Sequence, residues 1–206
     1  MTRFYFVRHG KTEFNQADIL QGARVDSPLL VESIVNAKKT GAYLQDVSFA
    51  KAYVSPQKRA QDTAKAVISQ LKVRPEIITA DELREFDFGD WDGDPIAKHS
   101  SDPRLYDFIH DPLHFDGSSF NAESYLDLKK RVTCELEKIF QAHPTDDVLV
   151  AAHALVISIG VKSLLGTDFN TIRKEGLVAN TSITVLETDD FKDFELKTWN
   201  YTKHLE

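Results

Sequence analysis

Cysteine is nearly absent from the chain, and long apolar runs are missing altogether. Among 206 residues there is one cysteine, Cys134, so the sequence excludes an intrachain disulfide and a multi-cysteine metal site. Cys134 falls in a helix-like stretch, where we expect a buried structural thiol. The first residues, Met1–His9, contain only a short apolar run, which is typical of neither a signal peptide nor a membrane span. These features predict a cytoplasmic protein that does not enter a membrane.

Positive charge is also in short supply. The chain has 25 Lys and Arg residues against 32 Asp and Glu residues, for a net charge of −7. An acidic protein of this kind is a poor partner for nucleic acid or an anionic membrane, although one local basic pocket remains compatible with it. The length predicts a single domain over residues 1–206. The sequence leaves the oligomeric state open, with a homodimer as one option.

Short β-rich runs alternate with longer helical patterns along the chain. This alternation predicts an α/β fold, a three-layer sandwich with a mainly parallel central sheet and helices on both faces. The predicted strands are Arg3–Val7, Lys51–Val54, Glu76–Thr79, Asp147–Ala152, Ser182–Glu187 and Glu195–Trp199. The predicted helices are Val31–Gln45, Gln57–Leu71, Ser124–Gln141 and Ala154–Leu165.

The segment from about residue 92 to 121 does not follow this alternation. It contains Pro95, Pro103 and Pro112 together with many Asp residues and scattered aromatic residues. We predict a small cap insertion of loops and short helices. Insertions of this type often lie over an active site, here the edge at which the strands end.

Polar and charged residues follow four of the predicted strands. In a parallel α/β sheet, ligands bind beyond the carboxyl ends of the strands, so these residues are expected to meet. Taken singly, each has an ordinary explanation, such as a turn, a core histidine or a surface charge. Their conjunction favours a site for a phosphate group, built from His9 with Arg8, the segment Ser55–Arg59, the segment Leu83–Glu85, and His153.

Five ordered motifs carry a family resemblance. They are Val7–Asn15, then Gln21-Gly22 with Asp26–Leu29, then Ser55–Ala64, Leu83–Gly93 and Ala152–Ala154. Together they resemble the histidine phosphatase superfamily, the group that includes the cofactor-dependent phosphoglycerate mutases, over nearly the whole chain. Three segments depart from the usual pattern. Ala154 replaces a common glycine, Leu30–Ser33 replaces Thr-x-x-Gly, and Phe120–Ser124 stands where Gly-Glu-Ser often occurs.

The resemblance and the residue chemistry together imply a mechanism. His9 is the expected nucleophile and forms a phosphohistidine, which divides one difficult displacement into two easier ones. Neighbouring arginines favour its neutral, reactive form. Arg8, Arg59 and His153 are expected to hold the phosphoryl oxygens. Glu85 is the candidate general acid and then general base, with Asp87 as a weaker alternative.

A second set of residues is predicted to bind substrate. Thr12 or Asn15 would supply an uncharged donor, and Arg24 has the best chance of lining the site among the remaining cations. The sequence predicts no cofactor and no metal, because Pro112 disrupts the helical spacing that would bring His110 and His114 together. The full set of predicted substrate-binding residues is Thr12, Asn15, Gln21, Gly22, Arg24 and Ala154.

Three functions remain open at this point. A mutase must hold a second anionic group, yet Lys98 and Arg104 are the only basic residues between Glu85 and Leu128. We therefore expect a phosphatase acting on a small phosphorylated metabolite, such as a sugar phosphate. A phosphoglycerate mutase is the alternative. A catalytically inactive binding or regulatory module is the third reading, disfavoured because His9, Arg59, Glu85 and His153 are all present.

Overall fold

The computed structural model describes residues 1–206 and contains one six-stranded sheet. The strand order is β3-β2-β4-β1-β5-β6. Strands β1 to β4 run parallel, β5 runs antiparallel to β1, and β6 runs antiparallel to β5. The predicted mainly parallel sheet is confirmed. The strands are β1 (Thr2–Arg8), β2 (Phe49–Val54), β3 (Glu76–Thr79), β4 (Asp147–Ala152), β5 (Ile183–Thr188) and β6 (Phe194–Tyr201).

Helices cover both faces of this sheet. Successive side chains of a strand point to opposite faces, so Phe4 and Phe6 of β1 join one apolar cluster while Val7 joins the other. The first cluster includes residues of α5 and α6, and the second includes residues of α2 and α3, which gives the predicted three layers. No helix has the length and apolar content that a membrane crossing requires. The helices are α1 (Glu13–Gln16), α2 (Val31–Tyr43), α3 (Lys58–Ile68), α4 (Pro103–His110), α5 (Tyr125–Ala142) and α6 (Ala154–Leu164).

Helix α5 shows how local sequence sets a boundary and a face. Ser124 caps it by accepting a hydrogen bond from the Asp127 backbone N–H at 3.0 Å. Its buried positions follow helical spacing and include Val132. The expectation of a buried thiol at Cys134 is wrong, because this side chain is exposed. Cys134 follows the buried Val132 by two residues, which corresponds to a rotation of about 200° around the helix and places Cys134 on the solvent face.

Residues 92–121 form loops, short 3₁₀ turns and the single helix α4. Asp102 caps α4 and Pro103 occupies its first turn, as expected for a helix start. The segment is held to the loop that follows β1, where Leu20 donates to the carbonyl of Asp94 at 2.9 Å and Ile19 pairs with Pro95. The insertion therefore lies beside the edge at which β1 ends.

The order of the strands places β1 and β4 side by side in the middle of the sheet. The chain passes from β1 to β2 across the position that β4 later fills. At the common carboxyl edge, the His9 N–H donates to the Ala152 carbonyl and the Ser55 N–H donates to the Ala151 carbonyl, both at 3.0 Å. The ends of β1, β2 and β4 are thus tied together, which is the ligand-binding position of a parallel sheet.

Candidate active site

Two histidines lie at the centre of this edge. His9 directly follows β1 and His153 directly follows β4, and their ring centroids are 5.1 Å apart. Their exposed fractions are 3% and 0%. The structure therefore brings together the two histidines that the sequence places at separate strand ends, in a site almost closed to solvent.

The ring of His9 is held in one orientation. Its Nδ1 lies 2.8 Å from the carbonyl oxygen of Gly10, and because a carbonyl only accepts, Nδ1 carries the hydrogen. The Nε2 atom then keeps its lone pair. Burial, followed by the charges of Arg59 and Arg8, holds the pKa of His9 well below its ordinary value of 6.5. The ring is therefore neutral near neutral pH, with Nε2 as its nucleophilic atom.

Arg59 lies on the first turn of α3 and its side chain is fully buried. Its Nη1 donates to Asp26 Oδ1 at 3.0 Å, and its Nη2 donates to the carbonyl of Gly22 at 3.0 Å. Both partners belong to the loop that follows α1, so this loop fixes the orientation of the guanidinium plane. One ion-pair partner and several carbonyls offset part of the cost of burying this charge.

Arg8 is the last residue of β1. Its Nη1 donates to the carbonyl of Val178 at 2.7 Å. Burial lowers the pKa of Arg8 to about 10, against an opposing effect of Glu85. The guanidinium is still charged at neutral pH, so two arginine side chains present positive charge beside the histidine pair.

Several donors at this edge have no partner in the protein. Buried polar groups are normally hydrogen-bonded, so each exception calls for an explanation. Seven buried side-chain polar atoms lack a partner, and four of them belong to this site: Arg8 Nε, Gln21 Nε2, Arg59 Nε and His153 Nδ1. A cluster of unsatisfied N–H groups that includes two arginines is the arrangement that an oxyanion would complete.

Glu85 is a buried carboxylate whose charge acts on the neighbouring Arg8. It is 5% exposed, and its Oε1 accepts from the Phe86 backbone N–H at 3.0 Å. Its Oε2 lies 3.4 Å from the backbone N of Leu155, at the start of α6. Glu85 also lines a cavity of about 570 Å³, whose lining includes neither of the two histidines and neither Arg8 nor Arg59. The other lining residues are Ala23, Asp81, Glu82, Arg84, Asp87, Asn121, Ala122, Glu123 and Arg131.

The loop around α1 positions the uncharged residues. Thr12 and Asn15 form a reciprocal capping box on α1, and the Thr12 hydroxyl also donates to Gln21 Oε1 at 3.3 Å. Gly22 lies so close to the next motif that a Cβ atom would stand 2.3 Å from the carbonyl oxygen of Phe86. Thr12 and Asn15 thus shape the wall of the site, and only glycine fits at position 22 without movement of the neighbouring backbone.

Arg24 lies at the rim of the site, partly exposed. Its Nε pairs with Asp87 Oδ1 at 2.7 Å, and its Nη2 donates to the carbonyl of Asn121 at 2.8 Å. Asp87 also accepts from the Gly89 N–H at 2.8 Å, as a loop carboxylate does. Arg24 therefore joins the loop after α1 to the end of the cap, and its charge is already paired.

Comparison with known sequences identifies the family. A sequence model described as the histidine phosphatase superfamily (branch 1) matches residues 4–202. The chain belongs to the histidine phosphatase superfamily. It is 31% identical over 205 residues to a Bacillus subtilis protein named uncharacterized phosphatase PhoE, covering 100% of this chain and 97% of that protein. It is 29% identical over 170 residues to the adenosylcobalamin/α-ribazole phosphatase of Escherichia coli, covering 80% of this chain and 79% of that enzyme.

Solved structures of this superfamily share the fold. The Bacillus stearothermophilus protein YhfR superimposes with a TM-score of 0.92 at 26% sequence identity, and the match covers 100% of both chains. The resemblance drawn from the motifs is thereby confirmed. This histidine phosphatase is a phosphoryl-transfer enzyme, as its phosphatase relatives are.

Ala154 is the departure from the superfamily pattern that lies closest to the chemistry. It is the first residue of α6 and is buried. An alanine is at home in a helical backbone, so the methyl group is accommodated there. Position 154 therefore contributes a helix start directly after the second histidine.

Sequence reasoning missed several residues of this histidine phosphatase that hold the site. Ser55 Oγ lies 2.7 Å from His153 Nε2, and Gln57 Oε1 accepts from the Glu85 N–H at 2.8 Å. Asp26 holds Arg59, and Asn180 Nδ2 donates to the carbonyl of His9 at 2.9 Å. Ser55, Gln57 and Asp26 lie inside the motifs named above, so the sequence offered a signal for their role in the site. Asn180 lies in a loop with no motif of its own.

The histidines of the cap stand apart from this site. His114 Nδ1 lies 2.9 Å from the carboxylate of Asp111 at the exposed surface of the cap. No group of three or more His, Cys, Asp or Glu side chains is arranged to hold a metal ion.

Proposed function

We propose that this enzyme hydrolyses single-phosphate esters of small metabolites through a phosphohistidine formed on His9 Nε2. The observation that carries the proposal is the hydrogen bond from His9 Nδ1 to the Gly10 carbonyl, which leaves Nε2 as an unprotonated nucleophile beside unpartnered cationic donors. In the first step Nε2 attacks phosphorus and the bond from phosphorus to the ester oxygen breaks. In the second, water attacks the same phosphorus and the P–N bond breaks.

The cationic groups supply the electrostatic part of the rate enhancement. Phosphoryl transfer spreads negative charge over the equatorial oxygens, so fixed donors at that position stabilise the transition state. We assign this role to Arg8, Arg59, His153 and the side-chain amide of Gln21. Their unpartnered N–H groups support the assignment, since a bound phosphoryl group would satisfy all of them.

Glu85 is assigned the proton transfers. In its protonated form it donates a proton to the departing oxygen, and as a carboxylate it later accepts a proton from the attacking water. Its burial, its electrostatic effect on Arg8 and its share in the lining of the outer cavity support this role, with the leaving group pointing towards that cavity. Thr12, Asn15, Gly22 and Ala154 are proposed to shape the phosphate pocket.

The cap favours a phosphatase over a phosphoglycerate mutase. Its two basic residues are already engaged, because Lys98 pairs with Asp94 at 2.8 Å and Arg104 pairs with Asp102 at 2.5 Å. Arg24 at the rim is paired with Asp87. A second phosphate or carboxylate on the substrate would find no free cation among these residues. We therefore propose an uncharged, hydroxyl-bearing leaving group, as in a sugar phosphate.

Two further predictions remain attached to this function. We propose a cytoplasmic location, which a lone exposed thiol fits because reducing compartments keep thiols free. The homodimer stays a prediction that size measurements in solution would decide.

The test is hydrolysis of p-nitrophenyl phosphate in EDTA by the wild type and by His9→Ala. We expect the wild type to turn over and His9→Ala to lose at least about 10⁴-fold in kcat, as removal of a nucleophile does. The matched control is His114→Ala, which removes an exposed histidine and should leave kcat unchanged. Activity that persists in His9→Ala, or that disappears in EDTA, contradicts the proposal.

A second assay separates the two transfer reactions. The purified enzyme is incubated with 3-phosphoglycerate, with and without 2,3-bisphosphoglycerate, and both inorganic phosphate and 2-phosphoglycerate are measured. We expect release of phosphate without isomer formation. Formation of 2-phosphoglycerate that depends on the bisphosphate would establish the mutase instead.

A further inference from the structure

Ser55 makes a contact that the mechanism above does not use. It directly follows β2, is fully buried, and places its Oγ 2.7 Å from Nε2 of His153. The same Oγ accepts from the backbone N–H of Gln57 at 3.4 Å. The other ring nitrogen of His153, Nδ1, is buried and has no partner. The question is which of the two ring nitrogens carries the hydrogen.

Counting hydrogens decides between the two tautomers. If Nε2 carried the hydrogen and donated to Ser55, the buried serine hydroxyl hydrogen and the Nδ1 lone pair would both lack partners. If Ser55 donates to Nε2 instead, the serine oxygen accepts from Gln57, and the single group left over is an Nδ1–H donor. The second arrangement leaves fewer buried groups unsatisfied, and each such group costs about 1–3 kcal/mol.

The second arrangement is also the one that suits an anion. A bare Nδ1 lone pair beside phosphoryl oxygens would repel them, whereas an Nδ1–H donates to them. His153 is the neighbour of His9, at a centroid distance of 5.1 Å, so its donor falls within reach of a group attached to His9. A neutral ring cannot donate from both nitrogens, so the tautomer decides whether His153 contributes at all.

We propose that Ser55 is a positioning residue that sets the tautomer of His153, donating to Nε2 so that Nδ1–H faces the phosphoryl group. This inference rests on the proposed function, in which His153 holds a phosphoryl oxygen. Ser55 does not touch the substrate itself. It acts as the orienting partner that a histidine needs when one particular nitrogen must carry the proton.

The direct test reads the tautomer in the wild-type enzyme without substrate. Long-range ¹H–¹⁵N correlation spectra distinguish a ring nitrogen that carries hydrogen from one that does not, and His153→Gln assigns the signals. We expect a protonated Nδ1 and an unprotonated Nε2 at His153. The opposite tautomer would overturn the proposal, whatever the activity of the enzyme. Absence of phosphatase activity with the expected tautomer would instead count against the proposed function.

Kinetics then test whether Ser55 acts through His153. Ser55→Ala should lower kcat/KM by about 10- to 100-fold, the range found when the partner of a functional histidine is removed. Ser55→Thr keeps the hydroxyl and should recover activity. If the extra methyl of Thr does not fit, Ser55→Cys takes its place as the conservative variant. When His153 is already replaced by Ala, the additional Ser55→Ala substitution should lower kcat/KM by less than about 2-fold. A full additional loss in that background would show that Ser55 acts elsewhere and would contradict the proposal.

Discussion

The phosphate cradle and the cap hold their positive charges in opposite ways. In the cradle, which comprises His9, His153, Arg8 and Arg59, donors are buried and several lack partners. In the cap, residues 92–121, the side chains of Lys98 and Arg104 are 62% and 38% exposed, and both pair with aspartates. Several donors of the cradle therefore lack a partner until an anion binds, whereas the cations of the cap already have partners within the protein.

This difference indicates where binding energy resides. A charge in a dry site interacts far more strongly than one at the surface, where exposed ion pairs contribute about 0–1 kcal/mol. Arg104 moreover packs its guanidinium 4.9 Å from the ring centre of Phe120, which is itself stacked on Trp91. The cap cations thus make contacts within the cap, and the cradle is where we propose that phosphate binds.

Removing a cation from the cradle should lower activity more than removing one from the cap. Arg59→Ala should lose at least about 3 kcal/mol of transition-state stabilisation, because it deletes a preorganised donor from a buried site. The measurement is kcat/KM for p-nitrophenyl phosphate. Lys58→Ala is the matched control, since it removes the neighbouring but exposed cation of the same helix turn. A loss of less than 10-fold in Arg59→Ala would remove Arg59 from contact with the phosphoryl group.

Acid should weaken the fold through the two cradle histidines. Burial, with help from Arg59, keeps the pKa of both His9 and His153 well below 6.5, so the unfolded chain binds protons that the folded chain does not. The free energy of unfolding therefore falls as the pH drops below about 6.5, by up to about 1.4 kcal/mol per pH unit for each histidine.

Urea denaturation between about pH 5 and pH 6.5 measures this slope. His153→Gln should reduce the pH slope by the contribution of one histidine. An unchanged slope in His153→Gln would mean that His153 takes up a proton in the folded enzyme as readily as in the unfolded chain.

Removing a cap cation should have the smallest effect. Arg104→Met keeps an aliphatic chain against Phe120 and deletes the exposed pair with Asp102, so stability should fall by about 1 kcal/mol or less. The value of kcat/KM for a sugar phosphate should change less than about 3-fold, if these charges do not bind substrate. A KM that rises more than 10-fold for a substrate with a second anionic group would assign Arg104 to substrate binding.

Much of the fold could be predicted because its signals are local. The continuous apolar run along Asp147–Ala152 and the helical spacing along α5 need only neighbouring residues, and the boundaries of both elements lie within a residue of the prediction. The antiparallel direction of β5 could not be predicted in this way, because it depends on pairing with β1 across most of the chain. The exposure of Cys134 is a local signal as well, because the helical spacing of α5 places it about 200° from the buried Val132.

The candidate site divides in the same way. His9 and His153 were predictable because topology brings strand ends together. The tautomer-setting role proposed for Ser55 depends on a hydrogen bond to a residue 98 positions away, which the spacing of residues does not reveal. The support that Asn180 gives to His9 spans 171 positions and has no counterpart in the motifs.

The separation of 171 positions between His9 and Asn180 matters while the ribosome makes the chain. The strand that His9 directly follows is made well before its two neighbours in the sheet, β4 and β5. Arg8 finds the carbonyl of Val178, and His9 the amide of Asn180, only after these two residues have emerged from the ribosome. A nascent chain therefore carries His9 without this support until residue 180 has been made, and a chain truncated before Val178 should have no assembled site at this edge.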